Sequence, residues 1–238
     1  MSIKKTTSLI LTLALCSALT ACQTAQSTDA QLHTSSMDGA IERAADYTRK
    51  PSKSLSYLER TYKKQPDSEL AAVDYAAGLR ENSKYELAAT ILEPFVKGKS
   101  ASSLATSEYA AIQLAQGNYE AAEKYAQKAV IADEANFKAY HHLGIALDTQ
   151  GMHQEAERAY RKGLELWQGD PTTIMNNLAL NLASQGYLDE SVEILRKAQD
   201  VSPGRVEIER NLRIITALQQ ADGALAPKPG KKPITTTD

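Results

Sequence analysis

The sequence predicts an all-α protein, a right-handed superhelical solenoid of about five helix-turn-helix repeats closed by a C-terminal capping helix. The first observation is that residues 136–203 hold two copies of one unit, in which the same residue classes recur 35 places apart. The second is that each copy has two stretches with apolar residues at helical spacing, separated by a turn at Gly151 or Gly186. The matching places are Tyr140, Leu143, Gly144, Leu147, Gly151, Ala156, Tyr160, Gly163 and Leu166 in the first copy, and Met175, Leu178, Ala179, Leu182, Gly186, Ser191, Leu195, Ala198 and Val201 in the second.

Small residues stand where the two helices of a unit must approach each other. Gly144 and Ala179 occupy this place on the first helix, and Ala156 and Ser191 occupy the facing place on the second. Small side chains allow packed helices an interaxial distance of about 8–10 Å. A period of about 34 residues built in this way is typical of the tetratricopeptide repeat (TPR), which the sequence therefore resembles.

The same register extends in both directions from these two copies. One step of 34 residues back from Gly151 reaches Gly117, and another step reaches Ser83 in a unit whose second helix contains Pro94. Because a proline inside a helix clashes and removes a hydrogen bond, we expect this helix to end or kink near Glu93. The predicted array covers residues 37–220, with a degenerate first repeat at about 37–67, further repeats at 68–102, 103–136, 137–171 and 172–204, and a cap at 205–220.

The N-terminus has the pattern of a bacterial lipoprotein signal. Lys4 and Lys5 precede a short apolar core, and 16 residues separate Lys5 from Cys22, too few for a comfortable bilayer span of about 20 residues. The Leu-Thr-Ala-Cys sequence that ends at Cys22 resembles a lipobox, which implies cleavage after residues 1–21 and lipid attachment to Cys22. Gln23, by resemblance to sorted lipoproteins, favours the outer membrane. The alternative is an ordinary signal peptide with an incidental cysteine.

The segments on either side of the array have the composition of linkers. Residues 22–36 are polar and lack an apolar period, so we expect a flexible tether after the lipidated cysteine. Residues 221–238 combine proline, glycine, lysine and threonine and predict a disordered tail. Cys16 lies in the cleaved segment and Cys22 carries the lipid, so no thiol is expected to remain for a disulfide. The formal net charge of −2 does not favour nucleic acid as a partner.

The sequence lacks the motifs that organise most catalytic sites. It contains no nucleophile motif, Walker loop, dinucleotide fingerprint or HExxH motif. His141 and His142 are adjacent, with His153 further along, whereas metal-binding pairs on a helix favour spacings such as i, i+4. We therefore expect neither an enzyme nor a metal or cofactor site.

The residues expected to bind a partner lie on the first helix of each unit, because this helix lines the concave surface of TPR arrays. The predicted groove consists of Ala111, Leu114, His141, Ile145, Asn176, Asn177, Leu180, Arg210 and Ile214. This is an apolar strip edged by amide, imidazole and guanidinium groups, and it suits an extended or helical peptide. The alternative is that several of these residues pack between adjacent helices of the array.

The run from His142 to Leu218 resembles the TadD family, the TPR lipoproteins of tight-adherence (Flp, type IVc) pilus systems. The resemblance rests on LGIALDTQG, AERAYRKGLEL and NNLALNLASQGYLDESVEILRKA, followed by Asn211 and Leu212. Together with the lipobox it implies an outer-membrane lipoprotein on the periplasmic face, whose partner is the pilus secretin or another assembly component. Two alternatives stay open: a type IVa pilotin, and an envelope adaptor that docks peptidoglycan hydrolases or proteases.

Overall fold

The computed structural model describes residues 53–98 and 101–225, and these ranges hold helices and turns without any strand. The helices are α1 (Leu55–Lys64), α2 (Glu69–Glu81), α3 (Tyr85–Val96), α4 (Ser103–Ala115), α5 (Tyr119–Ala132), α6 (Phe137–Thr149), α7 (His153–Leu166), α8 (Thr172–Ser184), α9 (Leu188–Val201) and α10 (Val206–Leu225). The described part thus contains four complete helix pairs, from α2–α3 to α8–α9, with α1 before them and α10 after them. The predicted all-α solenoid is confirmed.

Polar residues fix where several of the helices begin. The side chains of Ser54, Ser68, Ser102 and Asn136 each accept a hydrogen bond from the backbone N–H three residues later, at the start of α1, α2, α4 and α6. Such caps satisfy one of the free N–H groups of the first turn. At α8 the carboxylate of Asp170 accepts from the Thr172 N–H at 2.9 Å. The short polar residues between the repeats therefore set the helix starts.

The first helix of each complete pair ends in the same left-handed turn. Gly117, Gly151 and Gly186 have φ angles of 77°, 80° and 88°, and Ser83 occupies the equivalent place with a φ of 58°. In each turn the next N–H bonds back to a carbonyl five residues earlier, as from Lys84 to Leu79 at 2.9 Å. This is the Schellman arrangement, in which glycine is favoured because it lacks a Cβ. The predicted glycine turns are therefore helix C-caps.

Close packing inside a pair depends on small residues, and at Gly144 the space above the glycine is occupied by an aromatic ring. A Cβ added to Gly144 would lie 2.5 Å from two carbons of the Tyr160 ring, which belongs to the residue one turn beyond Ala156. In the next pair, the Ser191 hydroxyl donates to the Ala179 carbonyl at 2.6 Å, as the register predicts. Between α6 and α7, Tyr160 therefore fills the gap above Gly144, while Ala156, one turn earlier on α7, is fully buried in the same helix pair.

The core consists of two clusters along the array. The N-terminal cluster is centred on Leu79, Leu92 and Ile112, and the C-terminal cluster on Leu178 and Leu195. Each helix packs against the helix before and after it, and the first helices of neighbouring pairs also contact each other. These side-by-side first helices position the surface on which the candidate site lies.

Two element boundaries differ from the sequence prediction. Helix α3 does not end near Glu93 but contains Pro94 and continues to Val96. Pro94 is exposed and lies in the last turn, where few intrahelical hydrogen bonds depend on it. Helix α10 continues to Leu225, so the first five residues of the predicted tail are helical.

Several predictions concern residues outside the described ranges. These are the signal peptide at 1–21, Cys22 and the tether at 22–36, the first part of the degenerate repeat, and residues 226–238. Within the ranges that are described, no helix is long and apolar enough to cross a membrane.

Candidate functional site

The candidate site is the surface shared by α2, α4, α6, α8 and α10, which we name the first-helix face. The four helices from α2 to α8 have 13 residues each, and consecutive members contact one another directly. Helix α10 takes the place of the next first helix, against α8 and α9. Because equivalent residues recur on successive helices, one position of the repeat forms a row along this face.

A row of polar side chains crosses the first-helix face and joins each helix to the next. Ser107 lies 3.3 Å from His142 Nδ1, the Asn177 side-chain amide lies 2.9 Å from His141 Nε2, and Asn211 donates to Asn176 Oδ1 at 2.8 Å. We name Ser107, His141, His142, Asn176, Asn177 and Asn211 the polar ladder. On α6 and α8, one residue of the ladder bonds to the following first helix, and the next residue in the sequence bonds to the preceding first helix.

The histidines of the polar ladder are neutral. Asn177 can only donate from its amide nitrogen, so His141 Nε2 must accept and the ring proton lies on Nδ1. Burial lowers the pKa of His141 to about 4, and it lowers the pKa of His142 well below its ordinary value. The Trp167 ring stands edge-on to His141, with 5.5 Å between the ring centroids. These contacts make His141 part of the internal structure of the array.

Further polar contacts tie the same helices together beside the polar ladder. Asn181 donates to Asp148 Oδ1 at 2.8 Å, and His153 Nδ1 lies 2.7 Å from the same oxygen. Nearer the N-terminus, Arg80 and Glu108 form an ion pair at 2.6 Å between α2 and α4. Burial raises the pKa of Glu108 more than Arg80 lowers it. The first helices are thus held at a fixed spacing by bonds within the chain.

The apolar residues of the predicted groove become more exposed towards the C-terminal end. Ala111 is 6% exposed, Leu180 is 40% exposed and Ile214 is 53% exposed, whereas Leu114 and Ile145 are half-buried. They lie on four successive first helices. Among the apolar residues of the predicted groove, the most exposed therefore lie on α8 and α10.

The structure separates seven of the nine predicted groove residues into two groups and leaves Leu114 and Ile145 half-buried between them. His141, Asn176 and Asn177 bond to other residues of the chain, and Ala111 is buried. Leu180, Arg210 and Ile214 are exposed. Sequence reasoning did not identify the hydrogen bonds between helices, although polar residues at 107, 141–142, 176–177 and 211 recur at nearly the repeat period.

Two shallow clefts lie away from this face, on the edge formed by the turns. One of about 440 Å³ is lined by residues of the turn after α6, including His153, and one of about 390 Å³ by residues after α8 and near the end of α10. Tyr187 borders both. The residues that the structure describes contain no group of three His, Cys, Asp or Glu side chains that could hold a metal ion.

Sequence profiles of the tetratricopeptide repeat match this chain. One profile matches residues 76–137 and 110–171, and a second matches residues 172–200. The matches together run from 76 to 200, which is more than half of the 238 residues. The chain belongs to the tetratricopeptide repeat family. No curated protein sequence matches it at a significant level.

Solved structures of TPR proteins share the fold. The thermophilic TPR protein TTC0263 of Thermus thermophilus is 18% identical with a TM-score of 0.60, over 68% of this chain and 89% of its own. YrrB, a TPR protein with an unusual peptide-binding site, is 18% identical with a TM-score of 0.53, over 68% and 84%. The Cut9–Hcn1 hetero-tetramer of APC/C has a chain that is 14% identical with a TM-score of 0.64, over 71% and 33%. At these identities the likeness concerns the fold alone.

Proposed function

We propose that this chain is a periplasmic TPR scaffold, anchored to the outer membrane through a lipid on Cys22, that binds another protein on its first-helix face. The observation that carries the proposal is the exposed apolar surface at Leu180 and Ile214, on helices that the polar ladder holds in place. A rigid support reduces the entropy that ordering the site would cost on binding.

The partner most consistent with the sequence is the secretin of a tight-adherence pilus system. The lipobox at Cys22 supports an envelope location, and the resemblance of the His142–Leu218 run to the TadD family supports the pilus role. The scaffold would then hold a secretin segment near the membrane while the channel localises or assembles. YrrB, which shares the fold and is described as having a peptide-binding site, supports the use of such an array for peptide capture.

This role predicts an effect on secretin assembly in cells. Deleting the gene should reduce secretin multimers in outer-membrane fractions, and expression of the wild-type chain should restore them. A Cys22→Ser chain exported to the periplasm should restore them poorly, because it is no longer held at the membrane. Normal multimers in the deletion strain would contradict the pilus role. Altered peptidoglycan hydrolase activity in that strain would instead favour the envelope adaptor.

A further inference from the structure

The polar ladder ends at α10 with Asn211, and the adjacent position that would reach forward holds Arg210. Asn211 of α10 bonds back to Asn176 of the preceding first helix, as His142 and Asn177 bond back to Ser107 and His141 in the earlier steps. Its neighbour Arg210 stands where Ser107, His141 and Asn176 stand on the earlier helices, at the position that reaches forward to the next first helix. No helix follows α10 in the described ranges.

Arg210 lies among exposed apolar residues of α10, with the exposed Glu207 one turn before it. Val206 is 72% exposed, Ile214 is 53% exposed and Leu218 is 52% exposed. They are spaced four residues apart with Arg210, so the four side chains follow one another along the helix. We name Val206, Arg210, Ile214 and Leu218 the open face of α10. Ile208, Asn211 and Ile215, on the opposite side, are buried against the array.

Helix α10 lacks the small residue against which a second helix packs in the earlier pairs. Ala76, Ala110, Gly144 and Ala179 are the small buried residues against which each second helix packs, and the next residue in that series is Arg213. Arg213 is exposed, and a long charged side chain at this position prevents the close approach that small residues allow. Arg213 therefore disfavours the close packing of another second helix on α10, whereas the forward position at Arg210 is exposed.

The charge of the open face indicates the chemistry of its occupant. In the described part of the chain Arg210 has no ion pair or hydrogen bond, although a guanidinium group binds a carboxylate with two parallel hydrogen bonds. The open face is bordered by one exposed carboxylate, Glu207, which lies one turn before Arg210 and pairs with Arg205 at 3.7 Å. Two copies laid face to face would bring together two arginines that have no partner of their own among the described residues, while Glu207 is paired with Arg205, so the face is better suited to a different molecule.

We infer that the open face of α10 is the docking site for a single amphipathic helix of the partner protein, which lies beside α10 in the place of an additional first helix. The partner helix carries a carboxylate for Arg210 and, one turn away, apolar residues for Ile214 and Leu218. This contact would resemble the one between α8 and α10, with an ion pair at Arg210 in the place of the hydrogen bond between Asn176 and Asn211. This inference rests on the proposed function and specifies which part of the first-helix face holds the secretin.

The test combines the full chain with purified secretin and with overlapping peptides that span the secretin sequence. Fluorescence anisotropy should identify a binding peptide that is helical by circular dichroism and contains an acidic residue one turn from apolar residues. Arg210→Glu should weaken its binding by about tenfold or more. Arg196→Glu, a change at an exposed arginine on α9, should have no effect. Reversing the acidic residue of the peptide to lysine should restore binding to the Arg210→Glu chain.

The other outcomes separate this inference from the proposed function. Secretin that binds the wild-type and Arg210→Glu chains equally would overturn the docking site and leave the secretin role in place. An Arg196→Glu chain that loses as much binding as Arg210→Glu would overturn the docking site in the same way. Self-association of the chain that Arg210→Glu abolishes, measured by analytical ultracentrifugation, would show that the occupant is a second copy. Failure of the wild-type chain to bind secretin would overturn both proposals.

Discussion

Gly144 lies directly beneath the ring of Tyr160, and a Cβ on residue 144 would stand 2.5 Å from two of the ring carbons. Tyr160 is almost fully buried, and burial raises the pKa of its hydroxyl. The glycine therefore makes room for an aromatic side chain between α6 and α7. This contact fixes the spacing of the helix pair that carries His141 and Ile145.

Replacing Gly144 with alanine should destabilise the chain, although alanine is the better helix former. The new methyl group must displace the Tyr160 ring, and overpacking of this kind costs about 1–3 kcal/mol. Urea unfolding should report the loss. Adding Tyr160→Leu to Gly144→Ala should reveal strong coupling, because the smaller side chain removes the clash. Strictly additive effects would contradict the contact.

Ser83 should be the most favourable site for a stabilising substitution among the turns of the array. It has a φ of 58° where the equivalent residues are Gly117, Gly151 and Gly186. Ser83→Gly should raise the free energy of unfolding by about 1 kcal/mol, since a left-handed conformation is costly for a residue with a Cβ. Ser83→Ala keeps the Cβ and should give no such gain. Thermal unfolding of the wild type and the two variants measures the difference in stability. Equal shifts in melting temperature for both variants would contradict this explanation.

The chain should lose stability in mild acid because of the buried histidines. Burial lowers the pKa of His141 to about 4, so between that value and the ordinary value near 6.5 only the unfolded chain takes up the proton. The stability of the folded chain is therefore unaffected by the titration of His141 above the unfolded pKa near 6.5, and it decreases as the pH falls from there towards the folded pKa of about 4. His141 alone should account for about 2 kcal/mol between about pH 7 and pH 5, and His142 acts in the same direction.

His141→Gln provides the control for this pH dependence. Glutamine cannot titrate, but its side-chain oxygen can still accept the hydrogen bond that Asn177 donates. Urea unfolding of the variant across the same pH range should show a clearly smaller slope than the wild type. An unchanged slope would mean that other groups cause the acid sensitivity.

The repeat period made most of the fold predictable, while details that depend on contacts between helices were not. The glycines at 117, 151 and 186 located three turns, because a left-handed helix cap favours that residue. The sequence did not reveal that α3 would continue past Pro94, since the effect of a proline depends on its distance from the helix end. The polar ladder was also missed, because hydrogen bonds between helices depend on which faces meet.

The candidate site was predictable in outline only. The sequence located the first-helix face and its apolar residues, but it assigned Asn176 and Asn177 to a partner, whereas in the structure both bond within the chain. An amide side chain can bond either to a partner or within the chain, and which of the two occurs depends on the groups that surround it. Exposure then distinguishes Leu180 and Ile214 from the buried Ala111, a difference that periodicity alone does not contain.

Membrane anchoring should depend on Cys22. A Cys22→Ser chain should remain unlipidated and appear in the soluble periplasmic fraction, whereas the wild type should appear with the outer membrane. Stable anchoring requires more than one acyl chain, and bacterial lipidation supplies this at the cysteine. Detergent-free fractionation followed by immunoblotting measures the distribution. A wild-type chain found free in the periplasm, or a variant retained in the membrane, would contradict the lipoprotein assignment.

Binding of purified secretin to the chain with Leu180→Asp tests most directly whether the first-helix face holds a protein. Leu180 is 40% exposed on α8, and Ile131→Asp on α5 is the matched control because Ile131 is 81% exposed on a second helix. Leu180→Asp should weaken binding by about 2 kcal/mol or more, which is over tenfold. Ile131→Asp should bind like the wild type, and circular dichroism should show that both variants are folded. Equal affinity of the Leu180→Asp and wild-type chains would contradict a binding site on the first-helix face.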